Sequence, residues 1–459
     1  MMQTAARAEV WRARVAEWWG NLWRWVLLAA GAAVSVYVIL NQGIENGVFS
    51  AAAIALLVIG AAVTQNKPMA IALMSMPALF VVERVGLGGL ELSVSDVVLA
   101  AAFGTAVLLG TRPYSRALRQ LLWLNLVYQF TTLFTVIVNP YVANTVEWFH
   151  AWLLVSGALV VGWALGRGGH ARLALLLIIA TACVIALGTL VTGVLQYASG
   201  NFSAVYPAVP LPMHKNFAGT AMAFAAVVAY ANPAWMAWSK NWARAAFWLL
   251  IIGIVMTQSR QAIIGLIVAI LLLALRRGSG EHSRLVLLLI IPGAWLVIAM
   301  VIDQVESQNQ FNSVFQRVQW VREVYALWKL APVFGHGLRY WYNDTTAPYQ
   351  PPQAELEVLA SAGIFGLIGF VVMWVGIVFV LWHVDPRYGT LALAVVISRL
   401  VQGQFDLFWI AAQVSIPFVI AGICLGAKAL AESHPPSPAA APGTGFAPRQ
   451  AARAGRALT

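Results

Sequence analysis

The chain has 459 residues, of which 61% are hydrophobic and only 10% are charged, and its formal net charge is +11. Soluble proteins carry about 25% charged residues, so a soluble all-helical fold would leave too much apolar surface facing water. The apolar runs do not alternate with polar residues, which excludes an outer-membrane β-barrel. The two cysteines, Cys183 and Cys424, lie inside apolar runs and predict neither a disulfide framework nor a metal site.

Hydropathy divides the chain into five regions. Residues 1–21 are basic and rich in tryptophan, and they are expected to form an amphipathic stretch on the cytoplasmic face of the membrane. Residues 22–302 hold an N-terminal transmembrane bundle, and 354–428 hold the C-terminal transmembrane helices. Between them lies a large polar loop, 303–353. The tail, 429–459, is of low complexity and is expected to be disordered in the cytoplasm.

The apolar runs predict an all-α polytopic membrane protein with 12–14 transmembrane helices. A run of about 20 residues crosses a ~30 Å hydrocarbon core as a helix. Several runs are short, so twelve crossings with re-entrant pieces fit as well as fourteen crossings. The runs are 22–40, 48–64, 69–83, 94–110, 118–138, 147–166, 173–197, 216–232, 245–257, 262–275, 284–302, 357–381, 389–403 and 407–427.

Lysine and arginine are distributed unevenly between the segments that connect these runs. If the N-terminus is cytoplasmic and the runs alternate in direction, 20 of the 28 basic residues fall on the cytoplasmic side. This excess follows the positive-inside rule, and it explains the net charge without a nucleic-acid partner. The large loop then faces the periplasm of a bacterial inner membrane. The eight basic residues placed outside are Arg84, Lys215, Arg260, Arg317, Arg322, Lys329, Arg339 and Arg399.

Within the large loop, the pattern predicts one helix followed by a turn. Apolar residues from Val314 to Trp328 recur at helical spacing, which indicates an amphipathic helix along the outer membrane surface. Pro332 is expected to end this helix. His336 lies between two glycines in the turn that follows, and histidine exchanges protons near neutral pH. It is therefore the best candidate for a proton acceptor, although a surface histidine without function fits the same pattern.

The outside cations are informative because topology does not explain them. Lys215, Arg260 and Arg339 lie at the ends of runs or in loops on the same face, and His214 precedes Lys215. Such a group suits a diphosphate, whose oxygens accept charge-assisted hydrogen bonds. Each residue taken alone could also reach the lipid headgroups instead.

The outside acids do not form an obvious pair. Glu355 and Glu357 are two residues apart and on a helix would point about 200° apart, which argues against the paired carboxylates of a glycosidase. No His-x-x-His or Asp-x-Asp spacing occurs on this side, so we expect no bound metal ion and no other cofactor.

Asp96 and Asn125 lie near or inside runs and are expected to form interhelical hydrogen bonds. Aromatic residues close to the turn offer either faces for sugar rings or anchors at the interface; they are Tyr340, Trp341 and Tyr342.

Several short motifs, taken in order, resemble the O-antigen ligase and O-antigen polymerase superfamily. They are Val94-Ser95-Asp96-Val97-Val98-Leu99, Asn216 after a basic residue, Thr257-Gln258-Ser259-Arg260, Pro332-Val333-Phe334-Gly335-His336-Gly337-Leu338, and the segment from Glu357 to Gly366 that contains Gly363-Ile364-Phe365-Gly366. The resemblance covers roughly residues 20 to 427. It implies a glycosyltransferase C-type membrane fold and transfer of a glycan from an undecaprenyl diphosphate carrier in the periplasm.

The resemblance also assigns roles to particular residues. It implies that Arg260 holds the donor diphosphate. The family usually has a histidine eleven residues before the first glycine of the Gly-x-x-Gly pair, but that position holds Pro352 here, followed by Gln353. His336 could supply the missing imidazole from a nearby position, and Glu355 is the second choice, with Glu357 and Gln353 as further candidates for the acceptor site.

The resemblance thus implies the activity of an O-antigen ligase, which completes lipopolysaccharide by transfer to lipid A–core, with membrane lipids as further partners. A polymerase or a protein O-oligosaccharyltransferase fits the same motifs. A lipid or glycan transporter is the alternative from another class. Transporters carry ionisable residues at the bilayer centre, whereas here they cluster towards one face.

Overall fold

A computed structural model describes residues 69–87, 90–277, 298, 313–343 and 350–433. The predicted N-terminal amphipathic stretch, the runs over 22–40, 48–64 and 284–302, and most of the C-terminal tail lie outside the described residues. The elements in chain order are α1 (Ala70–Ala78), β1 (Arg84–Leu87), β2 (Leu90–Ser93), α2 (Val94–Leu109), α3 (Arg116–Val138), α4 (Val142–Trp152), α5 (Ala158–Arg167), α6 (Ala171–Ala198), α7 (Lys215–Ala231), α8 (Lys240–Thr257), α9 (Arg260–Arg277), α10 (Ser313–Leu330), α11 (Tyr340–Asn343), α12 (Ala354–His383), α13 (Pro386–Gln402) and α14 (Ala411–Ser433).

The protein is an all-α, multi-pass membrane protein. Among the described residues, five helical segments are long and apolar enough to cross a membrane. They are α3, the continuous segment Val142–Arg167, α6, α12 and α14. A five-residue π turn, Leu153–Gly157, joins α4 to α5 within the second of these segments. The predicted helix in the large loop is confirmed as α10, which ends at Leu330, two residues before Pro332.

Two predicted runs differ from the structure. The run over 69–83 holds only the nine-residue helix α1, and the chain then turns into the antiparallel hairpin of β1 and β2, in which Arg84 pairs with Ser93. The last run is predicted from residue 407, but α14 begins at Ala411. Residues 403–410 instead form a loop, in which the Asp406 carboxylate accepts hydrogen bonds from the Gln261 side chain and the Leu407 amide.

Close backbone packing joins α5 to α14. A Cβ atom on Gly162 would lie 2.0 Å from the Val419 carbonyl oxygen, and one on Gly422 would lie 2.3 Å from the Leu159 carbonyl oxygen. Gly166 and Gly426 make equally close approaches one turn further along. Both helices therefore carry glycines four residues apart at their contact, the small-residue pattern that lets membrane helices approach closely.

Helix α12 is broken at Gly363, where the backbone adopts φ 65° and ψ −167°. The segment 332–337 fills this break. The amides of His336 and Gly337 donate to the carbonyls of Ala360 and Ser361 at 3.1 and 2.9 Å, and the Ile364 amide donates to Pro332 at 2.9 Å. Backbone groups released by the break thus find partners in the loop, as a bend in a membrane helix requires.

Candidate active site

One cleft of about 1570 Å³ collects polar side chains from both halves of the chain. Its lining comes from α2, α4, the N-termini of α7 and α9, the helix α10, the segment 338–342, the start of α12 and the loop 403–410. We call it the central cleft. A cavity of this size, with convergent charged groups, is the expected form of a binding site.

Three basic side chains from three helices line the central cleft. They are Lys215 at the start of α7, Arg260 at the start of α9 and Arg317 on α10. Burial, and then repulsion by Arg260, lower the pKa of Arg317, so these two guanidinium groups lie within electrostatic reach of each other. Arg317 also donates to the Gln404 carbonyl at 3.1 Å. Cations gathered in a partly buried cleft favour an anionic ligand.

The turn between α8 and α9 fixes the position of Arg260. Gln258 caps α8 in the left-handed conformation, with φ 49°, and this reverses the chain within two residues. Thr257 and Ser259 on the two sides are fully or almost fully buried, at 0% and 1% exposed. Gln261 donates to the Asp406 carboxylate at 2.6 Å, which ties the start of α9 to the loop 403–410. Arg260 is thereby presented to the cleft by a rigid turn.

His214 caps the N-terminus of α7, where its ring accepts a hydrogen bond from the Asn216 amide at 3.3 Å. Burial lowers the pKa of this imidazole; Asp406 opposes the shift and Lys215 adds to it. The neutral form of the ring is therefore favoured, and His214 adds hydrogen-bonding capacity to the cationic part of the cleft.

Glu357 is the buried carboxylate at the start of α12 and is 5% exposed. It accepts a hydrogen bond from the Phe408 amide at 3.1 Å. The fully buried Arg399 holds the same loop by donating to the carbonyls of Leu407 and Phe408 and to the Gln413 side chain. Glu355 points elsewhere and accepts a hydrogen bond from Gln404 at 2.8 Å.

A chain of charged side chains forms another part of the cleft lining. His150 on α4 bonds the Asp96 carboxylate through Nε2 at 2.9 Å and the Glu147 carboxylate through Nδ1 at 3.1 Å. The second oxygen of Glu147 bonds Nε of Arg339 at 2.8 Å. Asp96 itself closes a capping box with Ser93 at the start of α2. We call Asp96, His150, Glu147 and Arg339 the charged chain.

The structure brings some of the predicted site residues together and separates others. Those that line the central cleft are Arg260, Lys215, His214, Arg339 and Glu357. Those that do not are His336, Glu355, Tyr340, Trp341 and Gln353, although Tyr342 and Pro352 do.

His336 is engaged with the protein backbone. Its Nε2 lies 2.8 Å from the Leu327 carbonyl, and its ring centroid lies 4.9 Å from that of Tyr340. Because a carbonyl only accepts hydrogen bonds, Nε2 carries the proton. The glycines beside it allow the segment 332–337 to pack closely against α12, since a Cβ on Gly335 would lie 2.3 Å from the Ser361 carbonyl oxygen. The role of His336 as proton acceptor stays a prediction.

Two other expectations can be compared with the structure. The predicted interhelical hydrogen bonds are confirmed, since Asn125 donates to Ser156 at 2.7 Å and Asp96 bonds His150. Within the described residues, no group of three or more His, Cys, Asp or Glu side chains is arranged to hold a metal ion, and chemistry without a metal stays a prediction.

Sequence reasoning missed His150 and Gln261 as parts of the site, and it placed Glu147 among the outer acids without a partner. One signal was available: Glu147 and His150 lie three residues apart within an apolar run, and ionisable residues inside such runs usually have a function. The partners Asp96 and Arg339 could not be found by spacing, because His150 and Asp96 are 54 positions apart.

Comparison with known proteins supports the family. No curated protein matches the chain. A family model described as O-antigen ligase matches residues 245–371, a range that includes Arg260, the large loop, Glu357 and the break of α12 at Gly363. Members of this family are membrane glycosyltransferase-like enzymes. The match confirms, over these residues, the resemblance to the O-antigen ligase and polymerase superfamily that is seen in the sequence.

Proposed function

We propose that the protein is an O-antigen ligase of the bacterial inner membrane. It transfers a polysaccharide from undecaprenyl diphosphate to a sugar hydroxyl of lipid A–core on the periplasmic side, which completes lipopolysaccharide. The acceptor oxygen forms a bond to the anomeric carbon while the bond from that carbon to the diphosphate oxygen breaks, so the configuration inverts. The protein's own cations stabilise the leaving diphosphate, and the transfer is proposed to need no metal ion.

The observation that carries this proposal is the group of cations in one cleft. Lys215, Arg260 and Arg317 line it together, and Arg260 lies within the family match. A diphosphate leaving group gains negative charge as the glycosidic bond breaks, and positioned cations stabilise that charge. The neighbouring His214 accepts the Asn216 amide at Nδ1, and its other ring nitrogen can donate to a phosphate oxygen.

The hydroxyl of the acceptor sugar must lose a proton, and two residues are candidates for the base that takes this proton. His336 is the residue that sequence reasoning favours, but it bonds the Leu327 carbonyl and does not line the central cleft. Glu357 lines the cleft, is almost fully buried and belongs to a family motif. A carboxylate within reach of a substrate hydroxyl can take its proton. We therefore place Glu357 first for this role.

Replacement of Arg260 by alanine tests the donor site. Removing one group that stabilises transition-state charge costs about 10²–10³-fold in rate. We expect Arg260→Ala to lose transfer from undecaprenyl diphosphate-linked polysaccharide to at least this extent while the protein still accumulates in the membrane. The measurement is the initial rate of glycan attachment to lipid A–core by purified enzyme.

The matched control is Arg322→Ala, since Arg322 is an exposed arginine on α10 that does not line the cleft. It should keep normal transfer. Wild-type activity in Arg260→Ala would sink the donor-site assignment. The same assay with a second carrier-linked repeat unit as acceptor separates the reactions: a ligase modifies lipid A–core, whereas a polymerase extends the carrier-linked unit.

A further inference from the structure

The members of the charged chain are largely buried, and each is bonded to the next. The side chains of Asp96, Glu147 and His150 are 7%, 9% and 10% exposed, and that of Arg339 is 18% exposed. Both ring nitrogens of His150 face carboxylate oxygens. A neutral imidazole has only one N–H, so the ring donates to two ionised carboxylates only as an imidazolium. Two carboxylates are then balanced by two cations, and His150 has no lone pair left to act as a base.

All four members of the charged chain line the cleft, and Arg339 stands at one end of the chain. Glu147 occupies its Nε atom, and its guanidinium carbon lies 4.7 Å from the centre of the Tyr342 ring. In the part of the chain that the structure describes, neither terminal nitrogen of Arg339 donates a hydrogen bond to the protein. These nitrogens are the ones that bind a planar or tetrahedral anion in the bidentate manner.

We propose that Asp96, His150 and Glu147 are positioning residues that hold Arg339 in the central cleft, where its terminal nitrogens bind a phosphate or carboxylate group of a substrate. The inference rests on the proposed glycan transfer. It adds a second anion subsite, carried by α2, α4 and the segment after α10, to the one formed by Lys215, Arg260 and Arg317.

The geometry favours positioning over simple packing. Arginine loses side-chain freedom when it binds an anion, and a partner that fixes one nitrogen beforehand reduces this loss. Glu147 is itself fixed, because His150 bonds its other oxygen and Asp96 bonds the far side of His150. Asp96 is anchored in turn by the Ser93 amide at 3.0 Å and the Ser93 hydroxyl at 2.6 Å.

The anion can come from either substrate, and kinetics separate the two sources. It is either the donor diphosphate or a charged group of the lipid A–core acceptor. Initial rates of the full-length enzyme are measured with each substrate varied in turn. We expect Glu147→Gln to raise the KM of one of them about tenfold or more and to leave kcat within about threefold, as loss of a ground-state anion contact requires. A change in donor KM assigns the anion to the donor, and a change in acceptor KM assigns it to the acceptor.

Two further variants make the test specific. Arg339→Gln should raise the same KM, and the double variant with Glu147→Gln should be no worse than Arg339→Gln alone, because Glu147 acts through Arg339. Glu147→Asp keeps the charge and should recover part of the loss.

Three outcomes would overturn the proposal: unchanged KM values in Glu147→Gln, equal loss of kcat with both substrates, or additive losses in the double variant. Arg260→Ala, measured in parallel, separates failure of this inference from failure of the proposed function, since only the latter leaves Arg260→Ala fully active.

Discussion

At the scale of single residues, Arg260 shows what topology and family motifs can locate. Counting basic residues by side left Arg260 without a topogenic reason, and the Thr-Gln-Ser-Arg turn matched the family. The structure places it on a buried turn at the cleft, beside Lys215. Arg260 could be predicted because an arginine in a very short turn between two apolar runs is costly without a partner.

His336 shows where the same reasoning is weaker. Glycines on both sides of a histidine indicate a flexible approach to a substrate, but they equally indicate a close approach of two backbones. Gly335 and Gly337 both have positive φ angles, and Gly335 packs against the Ser361 carbonyl in the break of α12. Only the folded contact distinguishes the two uses, so local sequence could not.

Glutamine substitutions can decide between Glu357 and His336. A positioned base contributes about 10²–10⁴-fold to the rate. We expect Glu357→Gln to lower kcat by an amount in this range, while His336→Gln should stay within about tenfold of wild type because it removes only a contact to the Leu327 carbonyl. The measurement is kcat at saturating donor and acceptor. The reverse ranking would restore His336 as the base.

At the scale of elements, hydropathy located most helices of the described chain. The runs over 94–110, 118–138 and 173–197 match α2, α3 and α6 within a few residues, because long apolar segments have only the helix as a stable form in a membrane. The prediction of a membrane-spanning helix over 69–83 was wrong because the apolar residues continue beyond α1 towards the β hairpin. The break at Gly363 gave no hydropathy signal, since its backbone partners come from a distant loop.

The contact between α5 and α14 can be tested with a matched pair of glycines. Gly422→Ala adds a Cβ atom that would lie 2.3 Å from the Leu159 carbonyl oxygen, whereas a Cβ on Gly104 in α2 has nothing within 4 Å. Overpacking of this kind costs about 1–3 kcal/mol, so Gly422→Ala should unfold at a lower temperature in detergent. Gly104→Ala should match wild type or exceed it, because alanine favours the helix. Equal melting temperatures of the two variants would contradict the close packing.

At the scale of the whole molecule, the site is assembled from distant parts of the chain. The charged chain joins α2, α4 and the loop after α10, and Leu338 is bonded to Asn144 across 194 positions. Sequence motifs identified Lys215 and Arg260 because these residues lie in or next to family patterns, but they did not identify Arg317. Arg339 was also predicted and Asp96 lies in a family motif, but the sequence could not show that the members of the charged chain contact one another, because Asp96, His150 and Arg339 are far apart along the chain.

Orientation in the membrane is a prediction of the charge distribution. Gln319 is an exposed residue that lines the cleft, and Gln120 is exposed near the basic end of α3. In intact spheroplasts, a membrane-impermeant maleimide should label Gln319→Cys, and it should label Gln120→Cys only after permeabilisation. The unmodified chain gives the background, which is expected to be low because Cys424 is fully buried and Cys183 is half-buried. Labelling of Gln120→Cys alone in intact spheroplasts would invert the topology.

The break in α12 also bears on biogenesis. The segment 332–337 leaves the ribosome before Gly363, yet the hydrogen bonds that fill the break need both to be in place. Until the loop closes on the helix, the peptide groups released at Gly363 have no protein partner, and unpaired peptide groups are costly in an apolar phase. Closure of the loop on the helix and final packing of α12 are therefore coupled. Substitutions at Gly335 or Gly363 should accordingly reduce the yield of inserted protein rather than the turnover of the molecules that mature.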